Sequence, residues 1–415
     1  MSSDRPWCLT GIVTDSFAGL ASAARGIPGS PGGANSGSSG RCRESEVLPQ
    51  RGGVLRLRGS HPQRQRRHRE SRTARRLRRC ADDPQESPPR SRRTMTHPHE
   101  PLATVVIPAR NAEAWIGEQL QSLAEQVDAP PFDVVVADNG STDGTARTAA
   151  NAMVPFEVTV VDASQVASAS HARNVGASLA RGEVLLFCDS DDLVGLHWVR
   201  ALHHAVATHS RVVARGVLEH GRFNGPDVLA AYRIDLSDDV RTHPGDLAVT
   251  PVTGGFAGYL PTVPGCNFAI RREDYLDLGG MDPRYPGGSE ETDFVWRAQE
   301  AGWAVVQVPG AVVHYRLRST QRAILRQQRN QQRGRMYLWT RFRDRGMNGP
   351  SVKASVLALA RQIGRAPGAV ADPAARLAWA YTTGAHLGAL EGMARYRFRR
   401  TRRPDSPVTV EEQQA

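Results

Sequence analysis

Glu183-Val-Leu-Leu-Phe187 runs directly into Cys188-Asp-Ser-Asp-Asp192. The first stretch is apolar on both faces, the pattern of a strand in the middle of a parallel sheet. The second clusters acids where that strand ends. Like charges held close together cost free energy unless a cation or ligand compensates. In an extended turn alternate residues point the same way, so Asp189 and Asp191 can share one face. A hard divalent cation, Mg2+ or Mn2+, suits this pattern, because it takes one or two carboxylates and leaves positions for substrate phosphates. The competing reading is a helix start with capping aspartates.

Working outward, Thr104-Val-Val-Ile-Pro108, Phe132-Asp-Val-Val-Val-Ala137 and Phe156-Glu-Val-Thr-Val-Val161 read as three further strands. Helical spacing covers 113–126, 145–153, 168–180 and 193–207, with Asp143 placed to cap the second of these. Four successive β-α units predict an α/β fold, a doubly wound, mostly parallel sheet flanked by helices. Ligands of such sheets bind at the carboxyl ends of the strands. Those ends are Ala109-Arg-Asn111, Asp138-Asn-Gly-Ser-Thr-Asp-Gly144 and Cys188-Asp-Ser-Asp-Asp192, all polar. Farther on, Gly287-Gly-Ser-Glu-Glu-Thr-Asp-Phe294 reads as a helix start with Ser289 as N-cap. Its acids are either favourable first-turn charges or a carboxylate base aimed into the cleft.

The net charge of +11 hides three segments. Residues 1–94 carry +11, residues 95–315 carry −14, and residues 316–415 carry +14. The first segment has Arg clusters, Gly/Ser-rich stretches and no apolar period, so it reads as a disordered Arg-rich arm. Met95 opens a conventional-looking start, so the expectation is that the arm is not part of the native protein; the rival expectation is an arm that binds nucleic acid or an anionic membrane. Asp15 interrupts the arm's one apolar stretch, which argues against a secretory signal. No apolar run reaches the roughly 18–20 residues of a membrane span. Five cysteines without C-x-x-C spacing argue against a disulfide scaffold or structural zinc. No G-x-G-x-x-G follows the first strand, which disfavours a dehydrogenase or methyltransferase.

Six motifs occur in one order: Thr104-Val-Val-Ile-Pro-Ala-Arg-Asn111, Val136-Ala-Asp-Asn-Gly-Ser-Thr-Asp-Gly-Thr145, Ala172-Arg-Asn-Val-Gly176, Leu186-Phe-Cys-Asp-Ser-Asp-Asp192, Gly265-Cys-Asn-Phe-Ala-Ile-Arg-Arg272 and Glu290-Glu-Thr-Asp-Phe294. In this the chain resembles family 2 glycosyltransferases of the GT-A fold, over about residues 102–315. The resemblance implies an inverting transfer of a sugar from a nucleotide-diphosphate donor to an acceptor hydroxyl. It places Pro108, Arg110, Asn111, Asp138 and Arg173 at the nucleotide. Asp189 and Asp191 match the family's D-x-D motif, Asp191 for the metal and Asp189 for ribose or metal. Gly265, Cys266 and Asn267 would border the sugar and acceptor, and His314 would stand near the metal or diphosphate. Glu290-Glu291 occupies the family's Glu-Asp position; Glu291 is chosen as base over Glu290 and Asp293. A protein of the same fold that binds nucleotide sugars without turnover is the alternative.

Residues 316–403 read as a basic, mostly helical C-terminal region, with breaks near Gly346-Met-Asn-Gly-Pro350 and Ala366-Pro-Gly368, and residues 404–415 as a disordered tail. A basic amphipathic helix can lie on an anionic membrane. Alternatively the +14 region packs against the −14 domain. The expected location is cytoplasmic, with peripheral contact at the inner face of the membrane, and nucleic acid is not expected as a partner. The donor sugar and the acceptor (glycan, lipid-linked or small molecule) leave no signal in the sequence.

Overall fold

The computed structural model describes residues 100–236 and 245–398. The arm 1–94 and the tail 404–415 lie outside the described residues. In chain order the elements are β1 (Ala103–Ala109), α1 (Ile116–Ala124), β2 (Phe132–Asp138), α2 (Thr145–Ala150), β3 (Val158–Asp162), α3 (Ala169–Leu179), β4 (Val184–Phe187), β5 (Leu193–Val194), α4 (Trp198–Thr208), β6 (Val212–Glu219), α5 (Pro226–Tyr232), β7 (Thr250–Pro251), β8 (Phe268–Arg271), α6 (Arg272–Asp277), α7 (Glu290–Glu300) and β9 (Ala304–His314). Three long helices follow: α8 (Gln321–Phe342), α9 (Val352–Ala371) and α10 (Pro373–Tyr396).

The strands form one sheet in the order β3-β2-β1-β4-β8-β6-β9-β5, with β7 on β9. Strands β3, β2, β1 and β4 are parallel neighbours, as the β-α periodicity predicts. β8 is inserted antiparallel between β4 and β6, and β6 and β9 are again parallel. The sheet is therefore mixed but mostly parallel. Its pleat sends alternate residues to opposite cores. Val105, Ile107 and Leu186 pack on one face with α1 and α4, while Val106, Leu185 and Phe187 pack on the other with Phe268, Tyr275 and Phe294.

Three expectations are corrected. The helix expected from Leu193 begins at Trp198, because Leu193 and Val194 pair with Val313 and His314 as β5. Ala366-Pro-Gly368 does not break the chain: α9 runs through Pro367 to Ala371, and the break falls at Asp372, whose carboxylate caps α10 through the N–H groups of Ala374 and Ala375. The third strand starts at Val158, leaving Phe156 to pack its ring on Phe132 at 4.9 Å.

α10 lies against α8 through Gly384, Gly388 and Gly392, spaced one turn apart. A Cβ at the first two would strike the backbone of Leu325 and Arg329, and at the third the Met336 side chain. Gly334 of α8 meets the backbone of Gly288 in the same way, just ahead of α7. The helical layer thus braces the loop that carries Glu290 and Glu291.

Candidate active site

The loops that leave β1 and β2 are laced together. Asn111 adopts a left-handed backbone (φ 52°), and its N–H donates to Ser141 Oγ at 2.9 Å. The Thr142 N–H returns a bond to Asn111 Oδ1 at 2.8 Å, and the Ala112 N–H reaches Thr145 Oγ1 at 2.7 Å. Asp138 accepts from the Ser141 N–H at 3.1 Å. Pro108, Arg110, Asn111 and Asp138 therefore sit on two adjoining strand ends. Asp143 accepts from the Thr145 N–H at 3.1 Å, holding the turn that starts α2.

Arg173 ties the next strand end to α7. It is fully buried; its guanidinium donates to Asp189 Oδ1 at 2.7 Å and stands 3.6 Å from Glu290 Oε1. Burial works against its charge, but Asp189, Glu290 and Glu291 outweigh it and hold Arg173 more firmly protonated than usual. Asp191 accepts from Arg318 at 3.0 Å, and both groups are buried. Asp192 Oδ1 accepts from the Arg316 N–H at 2.9 Å, while Oδ2 is buried without a hydrogen-bond partner among the described residues. Burial, with Asp191 and Asp189 adding to it, pushes the Asp192 carboxyl well above the carboxylate range.

Carboxyl oxygens of Asp189 and Asp192 and the Cys266 sulfur lie within 4.8 Å of one another. Burial pushes the Cys266 thiol up, so it stays protonated and offers a hard cation little. The aspartates do fit one: they are oxygen donors of the right kind, and Asp192 Oδ2 is a buried oxygen with no hydrogen-bond partner among the described residues, in a carboxyl that a bound cation would hold ionised. His314 stands outside that group. Its Nδ1 lies 2.8 Å from Glu219 Oε2. A cavity of about 680 Å3 lies beside it, lined in part by Glu118, Gln121, Phe223, His314 and Arg316.

The three acids of α7 differ sharply. Glu290 Oε2 accepts from the Gly288 N–H at 2.9 Å, and burial raises its carboxyl despite Arg173. Glu291 is fully buried; Oε1 accepts from Thr292 Oγ1 at 3.3 Å and Oε2 has no hydrogen-bond partner among the described residues. Burial, then the neighbouring Glu290, pushes Glu291 well up. Asp293 is held by Arg297 at 3.0 Å, Arg341 at 3.2 Å and the Tyr285 hydroxyl at 3.2 Å. Ser289 sits at the N-cap position but makes no side-chain cap; its φ of 74° is left-handed instead. Asn267, expected at the donor, is fully buried. Its amide N–H groups go to Val217 O and Ala311 O, and its oxygen accepts from the Trp198 indole at 2.8 Å. With both N–H groups spent, it braces α4, β6 and β9 from within. Arg316 and Arg318, unforeseen from sequence, close the aspartate cluster from more than 120 residues away, and no spacing signal announces such a pairing.

Residues 104–275 match the family model of glycosyl transferase family 2. The sheet order is the mostly parallel, helix-flanked α/β arrangement expected above. Curated relatives match over shorter stretches. The validoxylamine A glucosyltransferase of Streptomyces hygroscopicus subsp. limoneus is 36% identical over 119 residues, which is 28% of this chain and 26% of that protein. The 4,4'-diaponeurosporenoate glycosyltransferase of Staphylococcus aureus (strain bovine RF122 / ET3-1) is 38% identical over 104 residues, 24% of this chain and 26% of that one. The matched stretch spans about a quarter of the length of these relatives. Among solved structures, the mannosyltransferase PcManGT from Pyrobaculum calidifontis, in complex with GDP-Man and Mn2+, is similar at 19% identity and a TM-score of 0.46, covering 72% of this chain and 89% of that one.

Proposed function

We propose that this chain is an inverting glycosyltransferase that moves a sugar from a nucleotide-diphosphate sugar to an acceptor hydroxyl. The observation that carries the reading is Arg173: one buried guanidinium spans Asp189 after β4 and Glu290 at the start of α7. The donor-binding acids and the candidate base are thereby neighbours. Pro108, Arg110, Asn111 and Asp138 would receive the nucleotide on the laced loops, and Asp189 its ribose.

Asp191 and Asp189, with Asp192 and His314, would hold Mg2+ or Mn2+, which when bound neutralises charge on the diphosphate leaving group. Glu291 Oε2 takes the proton of the acceptor hydroxyl. The freed oxygen forms a bond to the anomeric carbon as the bond from that carbon to the donor phosphate breaks, its electron pair leaving with the nucleoside diphosphate. Attack opposite the leaving group inverts the anomeric centre. Glu291 is preferred to Asp293 because Asp293 is already bound by two guanidiniums. General-base help is worth about 10²–10⁴-fold.

The acceptor is a glycan, a lipid-linked molecule or a small metabolite. Among the described residues no helix is long and apolar enough to cross a membrane; the reading is a cytoplasmic protein in peripheral contact with the inner face of the membrane. One observation favours the second reading, donor binding without turnover: Arg318 already neutralises Asp191. Transfer and hydrolysis assays across nucleotide sugars, with and without Mn2+, separate the two. Turnover lost in Glu291→Gln and in Asp191→Ala, with donor binding kept in the former, is the expected result. Donor binding with no turnover under any condition would establish the second reading.

A further inference from the structure

β6 reads Val-Val-Ala-Arg-Gly-Val-Leu-Glu, with a single arginine among apolar residues. Arg215 stands level with Phe268 of β8 and two residues from Val213. Phe268 and Val213 belong to the apolar layer under α7, and the pleat puts Arg215 on that same face. Its guanidinium is half-buried, and Nη1 donates to the Thr262 carbonyl at 2.9 Å. Nε is buried without a hydrogen-bond partner, and the side chain meets no carboxylate among the described residues. Arg173, Arg318 and Arg341, by contrast, each lie against a buried aspartate. Burial, with no acid to oppose it, pushes the protonation of Arg215 down from its ordinary value. One carbonyl offsets only part of what it costs to desolvate a charge. A strap to Thr262 alone would need no charge, since a neutral amide donates to a carbonyl as well.

The loop that carries Thr262 is held on α7. The Trp296 indole donates to the carbonyls of Leu260 and Pro261 at 2.9 and 3.1 Å, and Gln299 donates to Pro261 O at 2.9 Å. The Thr262 hydroxyl lies 2.9 Å from that of Thr292, which donates to Glu291 Oε1 at 3.3 Å. The two neighbouring glutamates are thus joined to different cations. Glu290 is tied to the Asp189 side through Arg173, and Glu291 to Arg215 through two threonines. β8 separates β6 from β4, the strand that ends in Asp189 and Asp191. Arg215 therefore approaches the candidate base from beyond the acids assigned to the donor, where the acceptor must enter.

We propose that Arg215 is an oxyanion subsite for the acceptor: the acceptor carries a carboxylate or phosphate, which Arg215 receives while the reacting hydroxyl stands at Glu291. A planar guanidinium grips either group through parallel N–H···O bonds. The anion would supply the partner that β6 lacks. This deepens the reading above by naming a class of acceptor, and it rests on that reading for the role of Glu291. Anion binding is measured without turnover, so the two can fail separately.

The test uses the full chain with Mg2+ and saturating UDP or GDP, so that the place of the donor phosphates is filled. Calorimetry compares two matched pairs of probes, D-glucuronate with D-glucose and glycerol 3-phosphate with glycerol. An anionic probe should bind more tightly than its neutral twin, and the pair that responds tells carboxylate from phosphate. Arg215→Gln keeps a donor for Thr262 but loses the charge. It should weaken the anionic probe about 10–100-fold, the worth of hydrogen bonds to a charged group, and leave nucleotide affinity unchanged. Arg215→Lys should recover part of the loss. If neither nucleotide binds, the donor reading fails while the anion comparison still stands. Anionic probes that bind no better than their neutral twins overturn the proposal, as does an anion that the nucleotide displaces. So does undiminished binding by Arg215→Gln. Binding lost alike in both variants, in step with falling urea midpoints, would make Arg215 a strap for the loop and overturn it too.

Discussion

The rim of the sheet and the helical layer behind it are built on opposite electrostatic plans. The rim concentrates buried acids around Arg173 and Arg318, and leaves oxygens of Asp192 and Glu291 without hydrogen-bond partners among the described residues. The seam between α8 and the domain does the reverse: Arg341 lies 2.7 Å from Asp282 and 3.2 Å from Asp293, with Arg284 and Arg297 completing the balance. Both sites bury charge and both hold polar atoms without hydrogen-bond partners among the described residues, Nε and Nη2 of Arg341 at the seam included, but only the rim carries an excess of acids over guanidiniums. A stable fold tends to satisfy its buried charges, so the unsatisfied ones mark where a ligand or a proton is meant to arrive. Residues of the +14 and −14 segments meet through desolvated pairs such as Arg341 with Asp282 and Arg318 with Asp191.

The largest test of that contrast is in pH. Glu291 must be ionised to act as a base, and burial raises it. Turnover should therefore climb with pH along a limb lying above the ordinary glutamate value of about 4.3. Glu291→Gln should cost about 10²–10⁴ in kcat and remove that limb. Stability should show both signs. Raised groups such as Glu291 and Asp192 favour the fold fully below their unfolded values, and that contribution is lost as pH rises through the folded ones. Asp282 is opposite: burial works to raise it, but Arg284, with Arg341, wins and holds it low. Its contribution is present above about 3.9 and lost as pH falls through the folded value. Urea midpoints against pH should thus lose an acid-side limb in Asp282→Asn and a higher-pH limb in Glu291→Gln. The same limb vanishing in both variants would erase the distinction between rim and seam.

The seam itself can be broken next. Arg341→Met uncovers Asp282 and Asp293, though Arg284 and Arg297 remain, so a loss near the low end of the range for broken buried pairs, about 3 kcal/mol, is expected in urea at unchanged m. A loss under about 1 kcal/mol would mean that the glycine contacts of α10, and not this pair, hold the layer.

How much of this could be read beforehand follows from the range of each interaction. Val105, Val134 and Leu186 announce their strands because a buried parallel strand is apolar over a short local window. The acids at the strand ends were legible for the same reason, since Asp189 and Asp191 stand directly after Phe187. Leu193-Val194 was not, because two residues carry no period and their partner in β9 is more than a hundred residues away. Arg318 was invisible: it meets Asp191 across 127 residues, in a segment where arginine is everywhere. Pro367 read as a break but lies in the last turns of α9, where little of the helix remains to be disrupted. Asn267 followed its motif in sequence, yet its amide is spent on the protein.

A smaller effect probes the contact through which seam and rim communicate. In Gly334→Ala the new Cβ would fall on the Gly288 carbonyl oxygen, so α8 and the loop must part. Overpacking of this kind costs about 1–3 kcal/mol. Because that loop precedes Glu290 directly, kcat should fall along with the urea midpoint. A destabilised variant with full turnover would show that the loop's position is set elsewhere.

The smallest expected change goes in the stabilising direction. Gly287, Gly288 and Ser289 all have positive φ, at 116°, 106° and 74°. For glycine this is nearly free, whereas a left-handed conformation costs other residues roughly 1–2 kcal/mol. Ser289 gains no side-chain cap in exchange. Ser289→Gly should remove that strain and lose part of the gain to a more flexible unfolded chain. A net rise of about 0.5 kcal/mol in urea stability is expected. If the loop is held strained so that Glu290 stays on Arg173, the same variant should turn over more slowly while unfolding later; a variant both more stable and fully active would show that the backbone at Ser289 has no part in aiming the acids.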